Sequence, residues 1–341
     1  MTSISSITFN GLGTHLAVAH FNHSLELLKL PFSKFGAASN QIVNSTCKII
    51  SSSLVSNTCS KPSKPRFSTC GNFLAFNHQI FYSSISTKCG DLKSVLTLPE
   101  VATNTQFLHN DQFVLFSCDG CVSLNHLRFR IDQDQISNSF AIQEPCKSWN
   151  LPGNVLALAS VNETLSGIIG ISLSDRSIRV IDVESGDEQW TAKNKTGSNS
   201  AHSLIFPNTV ASSHLQPARY NIVASASVSD GGLITLFDLR TSTEICHFTS
   251  HVNRKGICSI SFSPCMRYIA TGNEAEGGAI LYDIRKQNSN PLRISTKSLN
   301  GRPLLDGPIT EVAFNPLRPQ LVTGSVEGRM RFYTEDIFSD Y

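Results

Sequence analysis

Apolar and polar residues alternate along this chain in short bursts, such as Leu16-Ala-Val-Ala19, Tyr268-Ile-Ala-Thr-Gly272 and Leu321-Val-Thr-Gly-Ser325. Gly, Asn, Asp or Ser bound the bursts, which is the pattern of half-buried strands separated by turns. Helical spacing is scarce, so the pattern predicts an all-β chain. The bursts also recur in a fixed order. Ile257–Pro264 reads as strand and turn, Tyr268–Gly272 as a second strand and Ala279–Ile284 as a third. Ile309–Pro316, Leu321–Ser325 and Arg329–Tyr333 repeat that order. Upstream, Tyr220–Ser227 with Asp230–Leu239, Ile168–Ser172 with Asp175–Val183, and Ile7–Phe9 with Leu16–Ala19 and Ser24–Leu30 follow the same template. Two weaker units fill the gap, one from Arg66 to Tyr82 and one from Thr105 to Leu124.

The aligned third-strand positions Ile181, Phe237, Tyr282 and Tyr333 stand 56, 45 and 51 residues apart. Seven units in 341 residues give a period of about 49, and a multi-stranded unit at that spacing predicts a seven-bladed β-propeller with four-stranded blades. The chain then forms one domain, 1–341, with blades at roughly 1–60, 61–100, 101–148, 149–195, 196–250, 251–300 and 301–341. Few residues follow Tyr333 to make a last outer strand, and Met1–Ser3 are too few to supply one, so the pattern leaves the closure of the ring open.

The units resemble WD repeats, above all in Phe262-Ser-Pro-Cys265, Asp175-Arg-Ser-Ile-Arg-Val-Ile-Asp-Val183 and Leu236-Phe-Asp-Leu-Arg240. From about 201 to 333 the order of motifs is similar to the C-terminal propeller of the WD repeat-containing protein 27 family. Ala201-His-Ser-Leu204, Tyr220-Asn-Ile222, Asp238-Leu-Arg-Thr241, Tyr282, Val312-Ala-Phe-Asn-Pro316 and Pro319-Gln-Leu321 carry that likeness. The departures are the missing Trp on every third strand and the missing Gly before His202 and His251. Compared members are longer and carry a second propeller. The chain is therefore expected to be a separate single-propeller relative or an incomplete stretch of a longer one. The resemblance implies a scaffold for protein–protein assembly. It also implies a buried polar network running from His202 through Ser227 (or Ser225) and Asp230 to Phe237.

Composition narrows the class. Lys and Arg total 28 against 26 Asp and Glu, a formal charge of +2, which argues against wholesale electrostatic capture of nucleic acid. Hydrophobic residues at 40 % and charged ones at 16 % exclude disorder as the main state. No apolar run approaches the roughly 18 residues of a membrane helix. The N-terminus has neither basic nor apolar signal-peptide regions, so the ten cysteines read as reduced thiols. The sequons at Asn22, Asn44, Asn162 and Asn194 are then unused. The expected compartment is the cytoplasm, with the nucleus as the alternative.

Candidate chemistry is sparse. His202, Ser227 and Asp230 make a tempting triad, but the network role suits them better than catalysis, which also needs an exposed nucleophile and an oxyanion site. Cys118-Asp-Gly-Cys121 has metal-ligand spacing without a second ligand pair, and its Asp-Gly is a hairpin signal. His15, His20 and His23 do not converge on one face of a continuous strand. There is no phosphate-binding Gly-rich loop. No enzyme, cofactor or metal is expected.

Loop charge has direction. Outer-to-inner connections and second-to-third-strand turns share one face of a propeller. There the connections hold Lys61, Lys64, Arg66, Lys193, Lys195, Arg254, Lys255 and Arg302, against Asp119, Asp175, Asp230, Glu274, Glu276 and Glu327. Such a face suits an acidic or phosphorylated peptide held by charge-assisted bonds. The expected partners are therefore other proteins in a complex. The alternative is an adaptor for nucleic acid or ribonucleoprotein, whose affinity would fall steeply with salt. No membrane or small-molecule partner is expected. The stretch from Ser39 to Ser68 is expected to hold an outer strand near Thr46–Ile50 and then a long loop, with further long loops at Asp132–Cys146 and Gly197–Gln216.

Overall fold

The computed structural model describes residues 2–30, 62–83, 92–98, 102–128, 141–142, 145–162, 167–193, 199–207, 221–275, 278–286, 290–294 and 307–334. The predicted alternation appears there as 27 strands in seven antiparallel sheets. Blade 1 is β1 (Ile4–Phe9), β2 (His15–His20) and β3 (Leu25–Lys29). Blade 2 is β4 (Arg66–Phe67), β5 (Phe73–Phe76), β6 (Gln79–Ser83) and β7 (Leu92–Thr97). Blade 3 is β8 (Asn104–Leu108), β9 (Phe113–Cys118) and β10 (Cys121–Arg128). Two short strands, β11 (Ala141–Ile142) and β12 (Lys147–Asn150), share its outer edge by both pairing with β10. Blade 4 is β13 (Val155–Ser160), β14 (Ile168–Leu173), β15 (Ser177–Asp182) and β16 (Glu188–Lys193). Blade 5 is β17 (Ala201–Ile205), β18 (Ile222–Ser227), β19 (Leu233–Asp238) and β20 (Thr243–Phe248). Blade 6 is β21 (Ile260–Phe262), β22 (Tyr268–Gly272), β23 (Ala279–Asp283) and β24 (Leu292–Ile294), and blade 7 is β25 (Ile309–Phe314), β26 (Leu321–Ser325) and β27 (Met330–Tyr333). The outer strand expected near Thr46–Ile50 and any strand after Thr334 lie outside the described residues.

Successive strand residues face opposite sides, and both sides of these blades are buried. On β22, Ile269 joins an apolar cluster with blade 5, while Tyr268 and Ala270 join one with blade 7. β23 does the same with Ile280 and Tyr282 against Ala279 and Leu281. Each of the seven apolar clusters is shared by two adjacent blades. The fifth joins Ile4, Ile7, Leu16 and Leu28 of blade 1 to Ala313, Val322 and Phe332 of blade 7, which closes the ring. Two polar ties cross the same seam: Thr310 Oγ1 donates to the Ile4 carbonyl (2.8 Å) and Asn315 Nδ2 to the Gly13 carbonyl (3.0 Å). Among the described residues, then, closure is by packing and hydrogen bonds and not by an exchanged strand.

Polar ties of this kind recur where first-to-second-strand turns of neighbouring blades meet. Asp111, 6 % exposed, accepts the Thr69 and Cys70 N–H groups of blade 2 (2.7 and 3.0 Å) and Asn162 Nδ2 of blade 4 (2.7 Å). One carboxylate thereby pins three blades, with its charge met by three donors.

Four of the seven inner strands share an irregularity. Register shifts fall between Ile4 and Ser6, Val155 and Ala157, Ala201 and Ser203, and Ile309 and Glu311. In each case one residue is extra to the ladder: Ser5, Leu156, His202 or Thr310. A bulge leaves such a residue unpaired and re-aims its side chain.

Candidate functional site

The inner strands wall a central channel of about 430 Å³. A smaller cavity of about 120 Å³ lies at its other end, with Lys64 and Arg66 lining both. Three of the bulged residues, Ser5, Leu156 and His202, line the channel, and Leu156 is 41 % exposed there.

At the waist of the channel, Lys64 Nζ lies 2.5 Å from Glu311 Oε1, and Ser259 Oγ donates to the same oxygen. The Glu311 side chain is 3 % exposed and that of Lys64 25 %, its open part facing the channel. Burial pulls the Lys64 ammonium below its ordinary pKa, while Glu311 pulls it back up. The Arg66 guanidinium is lowered by the same burial and sustained by Glu311, yet its buried Nε has no hydrogen-bond partner. Two cations thus share one acid. The sequence expectation put Lys64 and Arg66 in a connecting loop of the basic face. The structure sets them on the channel wall, because Pro62 and Pro65 delay pairing until Arg66 opens β4.

The other predicted basic residues divide. Arg254 and Lys255 are exposed on the loop between β20 and β21, where the Lys255 N–H donates to Glu274 Oε1 (2.8 Å). Gly256 and Ile257 continue that loop into the channel wall, so the two cations stand at its mouth. Lys193 ends β16. Lys61, Lys195 and Arg302 lie outside the described residues.

The residues expected to form a network in blade 5 have other contacts in the structure. His202 is the bulged residue of β17, and its Nε2 donates to the Cys258 carbonyl (2.9 Å) on the way into blade 6. Ser227 Oγ bonds Ser229 Oγ (3.2 Å), and Asp230 is exposed in a 3-10 turn, Ser229–Gly231, at φ 51°. Phe237 packs instead on Trp190 of blade 4, ring centroids 5.2 Å apart. The residue types of that pattern recur in blade 6 as His251, Thr271, Asn273 and Tyr282, of which His251 and Tyr282 bond each other. His251 Nδ1 pairs with the Tyr282 hydroxyl (3.0 Å), while Asn273 Oδ1 accepts the Val252 N–H (3.2 Å) and Thr271 Oγ1 donates to the Ser259 carbonyl (3.1 Å). Tyr and Asn stand where the family pattern has Trp and Asp, so a search for those residue types misses it. Burial, helped by His202, drives His251 down to about 4, so the ring is neutral at pH 7.

Cys118 and Cys121 pair across the hairpin joining β9 and β10, with Asp119 at φ 47°. His15 meets Thr14 Oγ1 (2.9 Å), His20 meets Thr2 and Glu26, and His23 meets Asn77, so the three have separate partners. No group of three His, Cys, Asp or Glu among the described residues is placed to hold a metal.

Ring, blade topology and walled channel define a seven-bladed β-propeller, and comparison with known proteins adds a local likeness. Residues 242–283 match the family described as WD domain, G-beta repeat. That stretch runs from β20 to β23, so the sequence repeat begins one strand before the blade it fills. The chain is also similar to histone acetyltransferase type B subunit 2 of Debaryomyces hansenii, 38 % identical over 112 residues. The match covers 30 % of this chain and 25 % of that protein, so the chain spans about a quarter of the relative's length. No helix among the described residues is long and apolar enough to cross a membrane.

Proposed function

We propose that the protein is a non-catalytic scaffold that docks an acidic or phosphorylated peptide of a partner protein on the channel mouth. The observation that carries this reading is the exposed pair Arg254–Lys255, held on a fixed loop beside the channel and offering charge-assisted bonds that an acidic segment satisfies. The sequence expectation adds Lys193 and Lys195 to this basic set. The likeness of 201–333 to the C-terminal propeller of the WD repeat-containing protein 27 family supports an assembly role. So does a relative that is by name a subunit of a larger enzyme. Free thiols at Cys70, Cys121, Cys146, Cys246, Cys258 and Cys265 suit the cytoplasm, where we place it.

An array of acidic and phosphoserine peptides, probed with wild type and with Lys193, Lys195, Arg254 and Lys255 all changed to Glu, tests the reading. Both proteins are first shown to melt cooperatively. Wild type is expected to retain a defined peptide set that the variant loses. Equal retention by both, or no retention by wild type, overturns it. A single-stranded RNA retained in preference to every peptide overturns it in favour of a nucleic-acid adaptor.

A further inference from the structure

The channel wall is mixed in its chemistry. Blades 1 and 2 contribute Ser5, Ser6, Lys64 and Arg66, while blades 4 and 5 contribute apolar side chains, of which Leu156 is the most open, together with His202 and Ser203. Among the described residues the acids on this wall are Glu311, buried at the waist, and Asp119, exposed on a turn at the mouth. Glu311 is already committed to Lys64 and Ser259. That leaves a surplus positive charge deep in the ring. Three polar atoms of residues that line this channel, Arg66 Nε and the hydroxyl oxygens of Ser5 and Ser6, are buried without a hydrogen-bond partner among the described residues. A low-dielectric cleft focuses the field of such a surplus cation on whatever enters. Orphaned donors around a surplus cation are the complement of an anion's lone pairs.

We propose that the channel waist is a receptor for a single oxyanion, carboxylate or phosphate, bound by Arg66 and Lys64 with the Ser5 and Ser6 hydroxyls. The anion satisfies Arg66 without displacing Glu311 from Ser259, and an apolar group attached to it lies against Leu156. This site is separate from the Arg254–Lys255 rim. Its ligand has two sources: a free small oxyanion, or an acidic side chain that a partner inserts along the channel axis.

Titration calorimetry in low-salt buffer separates them with two probes, inorganic phosphate and a doubly capped Leu-Asp-Leu tripeptide. Wild type is expected to bind at least one probe saturably. Phosphate alone points to the free anion and the tripeptide alone to a partner side chain; either supports the site. Arg66→Gln is expected to weaken the bound probe by at least about tenfold, the worth of one charge-assisted hydrogen bond. Leu156→Glu sets a carboxylate in the same channel at a position already open to solvent, so it disturbs folding least and is expected to abolish binding. Glu311→Gln removes the competing acid and is expected to tighten binding. The rim variant Arg254→Glu/Lys255→Glu keeps the site, which distinguishes its failure from failure of the rim reading. No saturable binding of either probe to wild type, or undiminished binding to both Arg66→Gln and Leu156→Glu, overturns the proposal.

Discussion

Replacing Gly272 by Ala tests how closely the blades approach one another. Gly272 ends β22 and faces Ile309 at the start of β25. A Cβ there would stand 2.4 Å from the Ile309 carbonyl oxygen and 3.0 Å from the Ile309 Cβ, and real Cβ atoms keep at least 3.0 Å from such neighbours. The obstacle is backbone, so no rotamer relieves it. Blades 6 and 7 must part by at least about 0.6 Å, the shortfall between those distances, in an interior packed like a crystal. Two further glycines grade the effect. At Gly324 the new Cβ would meet Ile7 Cδ1 at 2.7 Å and Ile4 Cγ2 at 2.8 Å, side-chain ends that can turn. At Gly170 it would meet Leu204 Cδ2 at 3.0 Å and Phe206 Cε2 at 3.2 Å. Overpacking costs about 1–3 kcal/mol, and Gly→Ala returns up to about 1 kcal/mol by restricting the unfolded chain. The expected net losses are therefore about 2 kcal/mol for Gly272→Ala, about 1 for Gly324→Ala and near zero for Gly170→Ala. Urea unfolding followed by far-UV circular dichroism measures them. A Gly272→Ala protein as stable as wild type, or less affected than Gly170→Ala, would refute the reasoning.

Two more outcomes follow from buried titratable groups. His251, 3 % exposed, has a native pKa near 4 against about 6.5 unfolded, so protons favour the unfolded chain below pH 6.5. Its contribution to stability therefore falls by about 2 kcal/mol between pH 7 and pH 5, and levels off below pH 4. His251→Asn should remove that part of the pH dependence in parallel urea titrations; an unchanged slope would contradict it. Burial pushes the Cys246 thiol up to about 11 and raises Cys258 further, whereas Cys70, Cys146 and Cys265 are exposed. Maleimide labelling read by peptide mass should modify the exposed three in the native protein, and Cys246 and Cys258 only after unfolding. Native labelling of Cys258 would count against its buried placement.

The blades were legible in the sequence wherever burial on both faces kept the alternation regular. Tyr268–Gly272 and Leu321–Ser325 match β22 and β26 residue for residue, and the period located all seven sheets. The ring seam was not legible, because Thr310, Asn315 and Gly13 form ties that depend on which turns meet in space. The contacts of His202 were not legible for a local reason. A bulge there carries its ring to the Cys258 carbonyl, and no residue type signals that shift in register. Lys64 and Arg66 read as loop because of the flanking prolines. Arg66 reaches the channel wall on a strand of two residues, shorter than alternation can reveal, and Lys64 in the segment just before it.

The bulges have a consequence for how such a ring can change. Every residue in register with a partner strand is constrained by the ladder and by two neighbouring blades. Ser5, Leu156 and His202 have no opposite number across the ladder, and their side chains line the channel. At Leu156, 41 % exposed, the lumen can therefore be refitted for a new ligand with little effect on the frame, whereas His202 also holds the Cys258 carbonyl on the way into the next blade and cannot be exchanged so cheaply.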